Sequence, residues 1–206
     1  RHPASALVPP YRARYPADMD SPTLSRSGAP VVGFVGAGQL ARMAIAAAIP
    51  LGVRVRVLAE RPDDAAALVC PDVACGSPRS AADLAAFAAG CDVVTFDHEL
   101  VDAAALRTLD ADGVVVRPSP ATVALAQDKA RQRAAFAGLG LPVPAHRPVD
   151  GLPDVFAFGD EHGWPIVAKA ARGGYDGRGV WVLPGPDDAR RTIADPIADG
   201  VPILAE

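Results

Sequence analysis

The sequence predicts an α/β fold: a parallel sheet first, then a smaller unit of mixed strands and helices. Three observations carry this. Apolar runs of strand length alternate with helical stretches between residues 31 and 116, the pattern of right-handed βαβ units. Gly36-Ala37-Gly38 joins the first run to the first helix, a turn that doubly wound sheets favour. After Pro118-Ser119-Pro120 the pattern changes, and Gly173-Gly174-Tyr175-Asp176-Gly177-Arg178-Gly179 lies between two further β-like runs.

The elements follow in order. Residues 31–35 form a buried strand, and the helix over 39–49 stops at Pro50. Residues 53–58 give a second strand, 63–69 a helix, and Val73 a short strand. Ser80 can cap a helix through residue 89, with Asp83 in its first turns. A strand over 91–96, a helix over 102–109 and a strand over 114–116 complete the first unit. Helices over 121–126 and 128–137 lead through a Gly/Pro connection, 138–144, to a helix over 153–161. The glycine run then separates strands at 165–170 and 179–183. Pro186 suits the start of a helix over 186–197, and 202–205 is the last strand. These signals place one unit over 31–120 and another over 121–206. Residues 1–30 hold Pro3, Pro9, Pro10, Pro16, Pro22 and Pro30 without apolar periodicity, and read as a disordered leader. The final strand, followed only by Glu206, reads as part of an incomplete domain and lacks the neighbours that would cover it.

Composition excludes several classes. Half the residues are hydrophobic and 21% charged, as in a globular protein without low-complexity stretches. The net charge of -4 argues against a general nucleic-acid binder. No apolar run approaches bilayer length. Cys70, Cys75 and Cys91 are odd in number and form no CxxC pair, so they read as small core or subsurface residues in a reducing cytosol.

Two loops carry the chemistry. Gly36-Ala37-Gly38-Gln39-Leu40-Ala41 fits the G-x-G-x-x-A dinucleotide fingerprint, with Glu60 placed where a ribose-binding acid would sit. A tight strand-to-helix turn would need the same glycines without any ligand. At that helix start an anionic group could meet backbone N–H donors and Gln39. Thr95-Phe96-Asp97-His98-Glu99 lies beyond the end of a strand, where such sheets place ligands. Glu99 is the better substrate contact there, and His98 reads as an exposed loop residue. In the second loop, four glycines in seven residues let backbone N–H groups approach an anion, most naturally a polyphosphate. Lys169 ends a buried run beside this loop and is costly there unless it meets an anion. Lys129, judged alone, is an ordinary surface lysine. A two-residue turn at Asp176-Gly177 would make the loop a hairpin. The lysine precedes the glycines, which excludes a Walker A loop.

Taken together, residues 36–43, Phe96-Asp97-His98-Glu99, Gln127-Asp128-Lys129 and the segment 169–179 resemble, in order and spacing, the N5-carboxyaminoimidazole ribonucleotide synthetases. These are ATP-grasp ligases of bacterial and fungal purine synthesis. The resemblance covers residues 31–206. It implies a Rossmann-like pre-ATP-grasp domain followed by the first, smaller part of an ATP-grasp domain. It also implies that ATP phosphorylates bicarbonate to carboxyphosphate and that 5-aminoimidazole ribonucleotide is carboxylated on its exocyclic amine.

By the same resemblance Lys129 and Lys169 bind ATP phosphates, while Gly174, Tyr175, Asp176, Gly177, Arg178, Gly179 and Val180 form a lid. Glu206 begins the adenine-binding hinge. Tyr175, Asp176 and Arg178 are the implied catalytic residues and also reach the ribonucleotide, with Gln39 and Glu99 on the substrate side. Mg2+ is the implied cofactor. Its ligands are expected after residue 206 and none in this chain. A cytoplasmic homodimer is the implied full-length form, with neither nucleic acid nor membrane as partner. Ala37 and Ala41 replace two usual glycines, the leader has no counterpart, and nothing follows Glu206, so this chain alone is expected to be inactive.

Three other readings compete. Another ATP-grasp carboxylase or transformylase is disfavoured by the Tyr175-Asp176 pair. An NAD-binding oxidoreductase, resting on Gly36, Gly38 and Glu60, leaves Lys169 and the second loop unexplained. A non-catalytic remnant would only bind or only fold.

Overall fold

The computed structural model describes residues 28–174 and 177–206. Residues 1–27, most of the expected leader, lie outside them. Strands β1 (Val31–Val35), β2 (Arg54–Ala59), β3 (Val73–Cys75) and β4 (Val93–Phe96) form a parallel sheet in the order β3-β2-β1-β4. Helices α1 (Gln39–Ala48) and α2 (Ala81–Ala88) are its crossovers, and α3 (Ala103–Ala111) follows β4. Strand alternation explains why both faces need covering. In β2, Val57 and Ala59 pack with Ala41 and Ile45, whereas Leu58 packs with Leu84, Phe87 and Leu106. Each fully buried Leu or Phe contributes on the order of 1.5–3 kcal/mol. The caps are local. The Ser80 hydroxyl accepts from the Asp83 N–H, and the Asp102 carboxylate accepts from the N–H groups of Ala104 and Ala105.

Helices α4 (Pro120–Ala126) and α5 (Lys129–Gly138) bridge to the second sheet, capped by Ser119 and Asp128. That sheet is antiparallel and has the order β5-β8-β6-β7: β5 (Arg147–Val149), β8 (Ile203–Ala205), β6 (Ile166–Ala170) and β7 (Val180–Leu183). Helices α6 (Leu152–His162) and α7 (Pro186–Ala198) pack on one face. The core there joins Val155, Phe158 and Ile193 of the helices to Ile166, Ala168, Leu183, Ile203 and Ala205 of the strands.

Five expectations change. The helix over 63–69 is a series of turns, because the Ala66 N–H donates to Ala37 O at 2.8 Å instead of to its own turn. The strand over 114–116 reduces to one parallel bridge, Val94 with Val116. Strand β5 was not expected, since Arg147-Pro148-Val149 buries only Val149. The last strand does not lack neighbours: β8 pairs with both β5 and β6 and is buried throughout. Finally, Cys75 is exposed on β3, whereas Cys70 is buried. Burial pushes the partly buried Cys91 thiol up to about 11.

Candidate functional site

The second sheet has a core face and an open face, and residue alternation decides which side chains reach the latter. Val167 pairs with Val182, and Lys169 with Val180. Glu206 exchanges backbone hydrogen bonds with Val167. Val167, Lys169, Val180, Val182 and Glu206 therefore share the face opposite α6 and α7. Val182 is 64% exposed, an apolar strip bordering a charged cluster. In that cluster one Glu206 oxygen pairs with Lys169 Nζ and the other accepts from Arg133 Nε at 2.7 Å. Burial pushes the Glu206 carboxyl up, but the hydrogen bonds from Lys169 and Arg133 outweigh it and hold the group below the usual glutamate range.

The glycine loop opens at the end of β6. The Ala170 N–H donates to Gly179 O at 2.7 Å, closing the loop's base. A methyl group on Gly174 would meet Arg178 O at 2.6 Å, so only glycine permits that approach. Lys129 Nζ donates to the carbonyls of Ala170 (3.1 Å) and Gly174 (3.5 Å), and its backbone N–H to Ala171 O. Among the described residues no carboxylate lies within ion-pair distance of Lys129, whose Nζ partners there are neutral carbonyls. Asp128, 7% exposed, accepts from Arg131 N–H through one oxygen and from two Arg172 N–H groups through the other. Burial raises its pKa, yet those donors together hold it below the ordinary aspartate value.

A cleft of about 490 Å³ separates the two sheets, lined by Arg79, Glu99, Gln127, Lys129, Arg172 and Gly174 among others. The structure thus brings Lys129, Gly174 and Glu99 together, with Lys169 and Glu206 on the adjoining sheet face. Arg178, Gly177 and Gly179 stand at the loop's far side, where Arg178 is exposed. Tyr175 and Asp176 lie outside the described residues. Gln39 is exposed at the start of α1. Sequence reasoning missed Arg79, Arg133 and Arg172, and named Gln127 only within the Gln127-Asp128-Lys129 motif, without a role. Arg133, Arg172 and Gln127 bond to groups 73, 44 and 28 residues away in the chain, beyond the reach of local sequence patterns.

The first glycine turn is different. The Gly38 N–H donates to Asp97 Oδ2 at 2.6 Å, and a methyl group on Gly38 would lie 2.7 Å from that oxygen. The Asp97 side chain is 4% exposed, and its Oδ1 lies 3.7 Å from His98 Nε2. The donor expected to meet a ligand's anionic group is thus already engaged by the chain's own carboxylate. Glu60 is exposed beside the turn. This negative dressing counts against a pyrophosphate there.

Comparison with known proteins identifies the family. Residues 30–127 match the ribonucleotide synthetase preATP-grasp domain, and residues 134–206 match the ATP-grasp domain. N5-carboxyaminoimidazole ribonucleotide synthase of Mycobacterium tuberculosis is 45% identical over 190 residues, covering 92% of this chain and 44% of the relative. The chain belongs to the N5-carboxyaminoimidazole ribonucleotide synthase family. Another member of this synthase family, from Corynebacterium ammoniagenes, is 40% identical over 87% of the chain and 43% of its own length. The synthase from Aspergillus clavatus, solved in complex with ATP, superposes with a TM-score of 0.79 at 29% identity, covering 86% of this chain and 47% of that one. The same enzyme in complex with ADP and aminoimidazole ribonucleotide gives 0.76 at 27%, covering 86% and 46%. The chain spans about half the length of the synthase relatives it matches. No described helix is long and apolar enough to cross a membrane.

Proposed function

We propose that this chain is the acceptor-side and phosphate-loop portion of an ATP-dependent ligase that carboxylates 5-aminoimidazole ribonucleotide with bicarbonate. The observation that carries the reading is Lys129: an ammonium held at the glycine loop by carbonyls, with no acid among its described partners. Such a charge is poised for an incoming phosphate. The resemblance to a synthase solved with ATP, and with ADP and aminoimidazole ribonucleotide, supports the identity of the ligands. Residues 31–120 would form the first domain and 121–206 the opening part of the ATP-grasp domain.

In this reading a bicarbonate oxygen attacks the γ-phosphorus, and ADP leaves with the electrons of the broken P–O bond. The exocyclic amine then attacks the carboxyl carbon of carboxyphosphate, expelling phosphate and losing a proton. Charge accumulates on the transferring phosphoryl group, so fixed cations and N–H donors supply the catalysis. Lys129 and Lys169 hold phosphates, and Gly174 to Val180 close over them. Val167, Val182 and Glu206 offer one wall and a hinge acid for the base. Arg178, Tyr175 and Asp176 act at the loop tip, with Glu99 and Gln39 toward the ribonucleotide. Among the described residues, Asp128 and Glu206 near the loop are both engaged by cations. Among the described residues no group of three His, Cys, Asp or Glu side chains converges as a metal cage. By resemblance to the family, the magnesium ligands are proposed to lie in sequence after residue 206. A cytoplasmic homodimer is the proposed full-length form.

The test is a ligase of the relatives' full length carrying this sequence. It should release ADP only with bicarbonate, and faster with aminoimidazole ribonucleotide. ATP hydrolysis indifferent to that nucleotide would overturn the reading. The 206-residue chain alone should show no turnover.

A further inference from the structure

Three consecutive residues fasten loops that belong to different sheets. The Gln127 side-chain amide donates to Glu99 O at 2.6 Å and to Val101 O at 2.8 Å, both in the segment after β4. The Asp128 carboxylate holds Arg172, one residue before the glycine loop. Lys129 holds the carbonyls of Ala170, Ala171 and Gly174. Gln127 is the last-turn cap of α4, and Asp128 caps α5, so the tripeptide has little backbone freedom of its own. Glu99 and Gly174 line the same cleft.

We propose that residues 127–129 are a joint that sets the register of the 97–101 segment against the glycine loop, so that loosening or ordering one is felt by the other. Gln127 and Asp128 are positioning residues in this scheme: they act on main-chain carbonyls and on Arg172, not on reacting atoms. Each contact is charge-assisted or made to a part-buried main-chain carbonyl, and such contacts are costly to break. Contiguous hydrogen-bonded chains of this kind can carry coupling between sites. That one loop serves the acceptor and the other the nucleotide rests on the function proposed above; the mechanical link does not.

Amide hydrogen exchange on this chain tests the link directly. Gln127→Met keeps the side-chain length and removes the donor. Asp128→Asn keeps a capping oxygen and removes the charge that holds Arg172. Gln127→Met should speed exchange by at least about threefold at Leu100 and Val101 and also at Ala171 and Gly174. Asp128→Asn should do the same from the opposite end. Either variant suffices if the other fails to fold. Loosening confined to the loop each residue touches would overturn the joint. In the full-length ligase, Gln127→Met should cut the acceptor's stimulation of ADP release about tenfold while the KM for ATP moves less than about twofold. Undiminished stimulation would count against the joint. If the unsubstituted ligase shows no stimulation, the functional reading falls, and the exchange result still decides the link.

Discussion

The turn at Gly36–Gly38 and the loop at Gly173–Gly179 use the same residue and differ in what faces them. At the first, a buried aspartate from β4's end takes the Gly38 N–H. At the second, Lys129 lies against the loop's carbonyls and Arg172 stands at its entrance. Glycine only permits close approach; the charge opposite decides whether the visitor is a ligand or the protein itself. A glycine fingerprint read without its facing residues therefore overstates its claim on a phosphate.

Substitutions can break or sharpen this contrast. The largest effect should come from Gly36→Ala. The backbone there has φ +103°, and a methyl group would collide with the Asp97 carboxylate. A loss of about 3 kcal/mol in stability is expected, read by thermal or denaturant unfolding. A neutral outcome would mean that the turn is not packed against Asp97. Next comes Lys129→Ala in the full-length ligase, expected to weaken ADP binding about thirtyfold, near 2 kcal/mol. Lys169→Ala should cost less, about tenfold, because Glu206 already offsets that charge. Arg42→Ala, beside the first turn, should change affinity less than about twofold; effects equal to those of the lysines would remove the distinction between the loops. Gly177→Ala, also at positive φ but with open space around it, should cost only about 1 kcal/mol of stability.

The smallest effect concerns pH. Asp128 and Glu206 both have lowered folded pKa values. Their stabilisation is therefore complete above the ordinary carboxylate range and is lost as pH falls through the lowered values. Arg172→Gln should let Asp128 titrate closer to normal and move the acid-unfolding midpoint upward, measured by circular dichroism. An unmoved midpoint would remove the Arg172 contribution.

Much of the architecture was legible because it is local. The Ser80 and Asp102 caps, the prolines opening α4 and α7, and the alternation of β1 and β6 are written within a few residues. The failures share a cause: a distant group won. Ala66 gave its N–H to Ala37, which unmade the helix at 63–69. Arg147-Pro148-Val149 is a strand because β8 lies beside it, not because of its own pattern. At the site, Lys129 judged by composition alone looked like any surface lysine; the family resemblance singled it out, and its partners are carbonyls some forty residues away in the chain (~40). Asp97 was visible as one of a polar cluster, but its role depends on Gly38, 59 residues earlier. Lys169 was expected to need an anion, and in the folded chain it meets Glu206.

The placement of β8 has a consequence in time. Among the described strands it comes last in sequence, yet it is an inner strand of its sheet, separating β5 from β6. During synthesis the β6–β7 hairpin can pair as soon as it emerges, since its partners are near neighbours. Strand β5 has no strand to bond until residues 203–205 have left the ribosome. Until then the edges of β5 and β6 remain open to other chains. The first sheet has no such wait, as β1, β2, β3 and β4 are all made within the first hundred residues (~100). The sheet that carries the glycine loop is thus the one that a nascent chain must guard longest.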